Sequence, residues 1–287
     1  MSSYLGLPTY IYDHMTPEEK KVFLGNIKEP AVIRGMFKPE AGKMNINQIS
    51  KLFRNVTLPV EIYDTYETTT TEADSGRSTV PELFDHWKTD QLPRLYCAEV
   101  DLFEQMIPKA QEERLLKALH NPNIDPREVK ALMLYLGKDH ASGLHLHVNS
   151  DFILNQLFGT KTVYIFNNYD NPNIHKNSTF NNYGSNIRVN ASNFAKEDFF
   201  SLDHSKMKIH KVTLQPGDSL LIPPWSWHAT QGHGVNMSIT QIFDRSDLTY
   251  LLTNPNLILD YISEDYHIIL SILLVIIVIY YIRRRNR

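Results

Sequence analysis

Hydrophobic and polar positions change their period along this chain, mixed at first and then predominantly two-fold. "TPEEKKVFLGNI" carries acidic residues in its first turn behind a Thr-Pro pair, which predicts a helix starting at Thr16. "PAVIRGM" reads as a short buried strand, and "INQISKLFRN" as a helix with Ile46, Ile49 and Phe53 on one face. "LPVEIYDT" is a further strand. Residues 65–80, "TYETTTTEADSGRSTV", are polar and read as an exposed loop, and "VDLFEQMIPKAQEERLLKALH" as helical on either side of Pro108. From "VKALMLYLG" onward the pattern is β, with strands expected at 129–137, 143–158, 161–166, 209–214, 219–222 and 235–243. The stretches "FGTK" and "QPGD" read as turns between them, and Gly159 with Thr160 as a hairpin that starts a returning strand at Lys161. An insert over residues 167–193 holds ten Asn and reads as a solvated loop or a substrate lid. The expected fold is mostly β with flanking helices, a small antiparallel barrel or sandwich.

The final pattern is of another kind. From Ile268 to Ile282 fifteen residues carry no charge, followed at once by "RRRNR". A helix of that length covers ~22 Å, short of the ~30 Å hydrocarbon layer, but Tyr266, His267 and the arginines can extend it to the interface. It is expected to be a transmembrane helix over 267–282 that binds membrane lipid, with a basic tail at 283–287. The start, "MSSYLGLPTYIYDHM", has no basic region followed by a long apolar run, so it does not read as a signal peptide. A single-pass, C-terminally anchored protein with a cytosolic body follows as the expectation, although the arginine tail argues for the opposite sidedness.

Composition narrows the classes further. At 287 residues and 42% hydrophobic content the chain has material for one large core. The formal charge is −3, but four of the 29 basic residues are Arg283, Arg284, Arg285 and Arg287, which leaves 25 against 32 acidic residues and a body at −7. That argues against direct nucleic-acid binding. The single cysteine, Cys97, excludes an internal disulfide.

Candidate chemistry lies in "SGLHLHVNSD", where His145, His147, Asn149 and Asp151 stand at alternate positions and in an extended strand share one face. A second candidate is His228 in "PGDSLLIPPWSWHAT", where a strand histidine facing a barrel interior needs a polar partner or a metal.

Taken together, "EPAVIRGM", "LMLYLG", "SGLHLH", "FGTKTVYIF", "LQPGDSLLIPPWSWHAT" and "MSITQIF" resemble, in order and spacing, the JmjC or cupin-8 group of Fe(II)- and 2-oxoglutarate-dependent oxygenases. The resemblance covers residues 25–245, with a helical lead-in at 1–24 and a connector at 246–266 on either side. It implies a double-stranded β-helix (jelly roll) whose mouth holds Fe(II) between a His-x-Asp/Glu pair and a distal histidine, here His228. It implies that Lys161 pairs with the far carboxylate of 2-oxoglutarate, with Ser142 and Tyr96 as hydroxyl partners, though Tyr96 reads equally as packing. It implies a hydroxylase or demethylase acting on a protein, nucleic-acid or small-molecule substrate.

The chain departs from the family pattern at the iron carboxylate. In one register His145 is the first ligand and His147 replaces the acid; in the other His147 is first and Asn149 replaces it. Local context favours His145, His147 and His228, three neutral imidazoles able to bind Fe(II), Zn(II) or Ni(II). Asp151 is too far along a regular strand to substitute. Two classes follow: a membrane-tethered oxygenase, or a degenerate scaffold of the same fold acting as a binding or tethering protein.

Overall fold

The computed structural model describes residues 4–20, 29–37, 44–63, 74–89, 92–103, 109–121, 124, 129–145, 147, 150–167, 208–224 and 226–244. The chain divides into two compact units, Met1–Asp244 and Arg245–Arg287. Every described residue belongs to the first, so the expected membrane helix at 267–282 lies outside the described residues, as does the asparagine-rich insert beyond Asn167. Among the described residues no helix is long and apolar enough to cross a membrane.

The fold is mostly β with few helices, consistent with a jelly roll. Its strands are β1 (Thr9–Ile11), β2 (Ala31–Arg34), β3 (Thr57–Tyr63), β4 (Asp74–Thr79), β5 (Arg94–Asp101), β6 (Ala131–Lys138), β7 (Ala141–His145), β8 (Ser150–Asn167), β9 (His210–Leu214), β10 (Asp218–Ile222) and β11 (Ser226–Asp244). Helices α1 (Ile46–Leu52), α2 (Val80–Lys88) and α3 (Lys109–Leu119) stand among the earlier strands. The hydrogen-bonded order is β1-β2-β10-β8-β11-β6-β5-β3-β4, with β7 on β11 and β9 on β8.

Two long strands organise this order. β8 and β11 run antiparallel along both their halves, Phe158 facing Met237 and Thr160 facing His233 across a shift in register. The first half of β8 also carries β10 and its second half β9. β11 carries β7 on its first half and β6 on its second. The pairings therefore form two sets that share only β8 and β11. A hydrogen bond from Lys161 on one set to Ser238 on the other, 2.6 Å long, shows that their inner faces meet. Val163, Ile165 and Leu214 from the smaller set pack there with Val32, Phe152, Leu154, Leu220 and Ile222 from the larger. The opposite face of the larger set, including Leu132, Leu134, Leu136 and Ile239, is covered by Ile49, Leu83, Leu115 and their neighbours from the three helices. Burying both faces of the sheet in this way removes its apolar area from water.

The bends at Gly159 and Asp139 both lie against the Gly234–Val235 segment of β11. β8 turns at Gly159, at φ +64, where a side-chain Cβ would fall 2.3 Å from the Val235 carbonyl oxygen. Asp139 at φ +47 separates β6 from β7; its N–H donates to Gly234 O at 3.0 Å and its carboxylate accepts from Gly234 N at 2.6 Å. The hairpin expected at Gly159–Thr160 is therefore corrected. Glycine is used here for a bulge that folds one continuous strand over.

Other expectations are revised for local reasons. Within the expected loop at 65–80, Asp74–Thr79 form β4 paired with β3. The following "STVPEL" opens α2 with a reciprocal Thr79–Glu82 cap and a proline in the first turn, a helix start that strand-and-loop reading passed over. Val100 and Asp101, expected to be helical, end β5, and α3 is described from Lys109 to Leu119. The strand expected over 143–158 is broken, because β7 stops at His145 and β8 begins at Ser150. The helix start at Thr16 is present, with Glu19 N–H donating to Thr16 Oγ1 and Thr16 N–H to the Glu19 carboxylate. Ile49 and Phe53 of the second helix face the core, whereas Ile46 is exposed.

Candidate functional site

His228 is the third residue of β11, opposite Ile165, and residues directly opposed on antiparallel strands share a face. That places it on the inner face with Val163 and Ile165, and it is 4% exposed. Its Nδ1 lies 2.9 Å from the Ser226 carbonyl oxygen. A carbonyl only accepts, so Nδ1 carries the proton and Nε2 keeps its lone pair, the tautomer a metal ligand needs.

The His147 ring centre lies 5.2 Å from that of His228 and is stacked on Phe152 at 3.9 Å. Two imidazoles binding one ion at ~2.1 Å hold their ring centres roughly 4.5–5.5 Å apart, so the pair fits a shared metal. His147 follows the end of β7, so strand alternation does not set its direction; the stack on Phe152 does. His145 enters through its backbone position, where its Cα is paired with that of His228. Asn149 lies outside the described residues. Among the described residues no group of three His, Cys, Asp or Glu side chains converges.

Further along the inner face, Thr230 N–H donates to Ser142 Oγ at 3.1 Å, and the two hydroxyls lie 2.9 Å apart. Ser142 thus stands between the histidines and Gly232, which is paired with Lys161. Lys161 is 1% exposed. Its Nζ donates to Ser238 Oγ and lies 5.1 Å from the centre of the Tyr135 ring. Burial pulls its ammonium from 10.5 down to about 7.

Tyr96 and His140 complete the cluster around Lys161. Tyr96, on β5 opposite Gly137, is 4% exposed, and its ring stacks on His140 at 3.9 Å. A Cβ on Gly137 would lie 2.6 Å from His140 Nδ1 and 2.8 Å from Tyr96 Cδ2, so glycine is what lets both rings lie on the strand. Burial, followed by the charge of Lys161, holds His140 well below the usual imidazole range. Burial first, and then neighbouring phenols and carboxylates, pushes Tyr96 well above the usual phenol range; burial and Glu99 do the same to Tyr135. Both phenols therefore keep their O–H.

The result is a buried cluster rich in donors. One of the three Lys161 N–H groups is used by Ser238, while neither ring nitrogen of His140 has a hydrogen-bond partner among the described residues. His140 and Tyr135 are the residues that sequence reading missed. The alternation in "ALMLYLGK" turns Tyr135 inward between buried Leu134 and Leu136, a readable signal. Nothing local marks His140, whose position depends on contacts with β5 and β11.

A family described as "Cupin-like domain" matches residues 18–248 of the chain. Among curated proteins, none matches it.

Proposed function

The chain belongs to the cupin-like domain family, and on that footing we propose that it is a membrane-tethered oxygenase using Fe(II), O2 and 2-oxoglutarate to hydroxylate or demethylate a substrate. The observation that carries this reading is the buried, donor-rich cluster around Lys161, on the same inner face as His228. A dicarboxylate brings the acceptors that these donors lack, and charge-assisted bonds in so buried a site are strong. Lys161 holds the far carboxylate, with Ser142 and Tyr96 as hydroxyl partners. The metal is held by His228 through Nε2, by His147 and by His145, with Asn149 as the alternative in the second register.

When bound, iron and 2-oxoglutarate supply the oxidising power, the decarboxylation of the 2-oxo acid to succinate driving oxygen into a C–H bond. The protein's own part is to fix the tautomer of His228 through Ser226, to hold the anion at a set distance from the histidines and to keep water from both. Three neutral imidazoles leave the metal more positive than two imidazoles and a carboxylate do. Turnover is therefore expected to be slow, with 2-oxoglutarate binding outlasting it.

The same donor set favours a second reading, a binding or tethering protein without turnover. In "HLHVN" neither His145 nor His147 is followed by an acid at ligand spacing. The experiment that separates the two is a titration of the full chain, in detergent and loaded with Fe(II) without oxygen, with 2-oxoglutarate, followed by aeration and measurement of succinate. Binding below millimolar concentration and slow succinate release are expected. His228→Ala is expected to lower metal affinity by 100-fold or more, as loss of one of three ligands does, whereas His210→Ala, at a half-buried site bonded to Gly6, leaves it unchanged. His147→Asp should raise turnover. Absence of binding at millimolar 2-oxoglutarate ends the enzyme reading in favour of the second.

A further inference from the structure

His140 has an unusual position for a packing residue. It is 1% exposed, and no described group bonds to Nδ1 or Nε2. It is nevertheless fixed from three sides. Its carbonyl accepts Gly232 N–H at 2.8 Å, its ring stacks on Tyr96, and Nδ1 lies against Gly137. A ring that only filled space there needs no nitrogen, and burying two polar atoms without partners opposes folding. The surroundings show what is missing. Lys161 is near enough for its charge to act on the ring, and Tyr96 and Tyr135 add two protonated phenols. Among these groups Ser238 Oγ already accepts from Lys161.

Resting on the oxygenase reading, we propose that His140 is a recognition residue of this cluster, donating a ring N–H to the far carboxylate of a bound 2-oxo dicarboxylic acid beside Lys161. The two groups divide the work by chemistry. Lys161 is a compact charge with rotatable donors and accepts any anionic end group. His140 stays neutral at neutral pH, so it gives one N–H in a fixed direction. Together they suit the paired oxygens of a carboxylate, each accepting from a different side chain. Because both side chains are almost fully buried, the bound carboxylate leaves water, and the loss of either donor is felt at nearly full strength. Gly137 and Gly232 make the arrangement possible. The first leaves room for the ring, and the second, whose N–H bonds the His140 carbonyl, leaves room for the Asn236 side chain, since a Cβ at Gly232 would fall 2.1 Å from Asn236 Nδ2.

The test compares two ligands on the full chain in detergent, loaded with Mn(II): 2-oxoglutarate, and 2-oxobutyrate, which keeps the 2-oxo acid and lacks the far carboxylate. The wild type is expected to prefer 2-oxoglutarate by about 100-fold or more. His140→Phe, which keeps the stack on Tyr96, should cut that preference by about tenfold or more, through 2-oxoglutarate alone, and His140→Gln, which keeps a donor, should recover part of it. If His140→Phe binds 2-oxoglutarate as tightly as the wild type, His140 only packs; the inference falls and the oxygenase reading stands. If the wild type binds neither acid, or both alike, the oxygenase reading falls and takes this one with it. Should His140→Phe fail to fold, histidine ring 15N spectra of the wild type decide, with His140 assigned by its loss in His140→Gln. A shift of its ring nitrogen with 2-oxoglutarate but not with 2-oxobutyrate supports the contact; no shift at saturating 2-oxoglutarate overturns it.

Discussion

Lys161 is the residue at which function and stability conflict. An ammonium at 1% exposure opposes folding because its charge is worth less inside than in water, which is the cause of its fall to about 7. The direction of the pH dependence follows. Between pH 7 and 10.5 the unfolded chain holds a proton that the folded chain has lost, so this group's contribution to stability rises with pH through that window and is least favourable at and below pH 7. Lys161→Met should therefore stabilise the fold most at pH 7, by about 3–5 kcal/mol, and by less than half of that at pH 9.5. Urea midpoints at the two pH values measure it. An equal effect at both would mean that the lysine is hydrated and unperturbed. The same substitution should abolish binding of 2-oxoglutarate, so a more stable protein that no longer binds is the expected signature of a site residue.

At the scale of the element, the long bent strands are the feature on which the site depends. β8 places Phe152 under His147 in its first half and Lys161 in its second, so one continuous strand serves both ends of the site. Gly159 is the bend. Its φ of +64 disfavours any side chain, and the Val235 carbonyl oxygen occupies the space that a Cβ needs. Gly159→Ala is expected to destabilise the protein by about 2–4 kcal/mol, combining backbone strain with the clash. Gly217→Ala, at φ +95 in the turn before β10 and with its nearest contact at 3.7 Å, should lose only about 1–2 kcal/mol. Thermal unfolding of the two variants compares them directly, and equal losses would place the bend's rigidity elsewhere.

At the scale of the whole molecule, the division at Asp244 matters most. The cupin-like match ends at residue 248, and the apolar run begins at Ile268. A chain ending at Ser263 should move from the membrane fraction to the soluble fraction and keep its melting temperature within a few degrees, since the anchor reading gives the run no part in the core. Aggregation or unfolding of that shortened chain would make the segment part of the core. Asn55, an exposed residue in an Asn-Val-Thr sequon, should remain unmodified in cells if the body faces the cytosol; a glycan there would reverse the sidedness.

The sequence by itself determined what depends on near neighbours. Local pattern set where the strands from β6 onward lie, "QPGD" set the turn from β9 to β10, and the Thr16 cap set a helix start. It also singled out His228, a polar residue within an apolar strand that must find a partner, whereas Lys161 was marked only by the family resemblance and reads by itself as a solvent-facing strand lysine. Tertiary structure decided what depends on residues far apart in the chain. A glycine with φ above zero serves a hairpin or a bulge equally well, so only the common partner β11 fixed Gly159 as a bend. The direction of His147 came from Phe152, and that of His140 from Tyr96 and Gly232. Alternation tells a strand which of its faces is buried; it carries no information about which strand lies across the interior, and that is where the donor cluster is built.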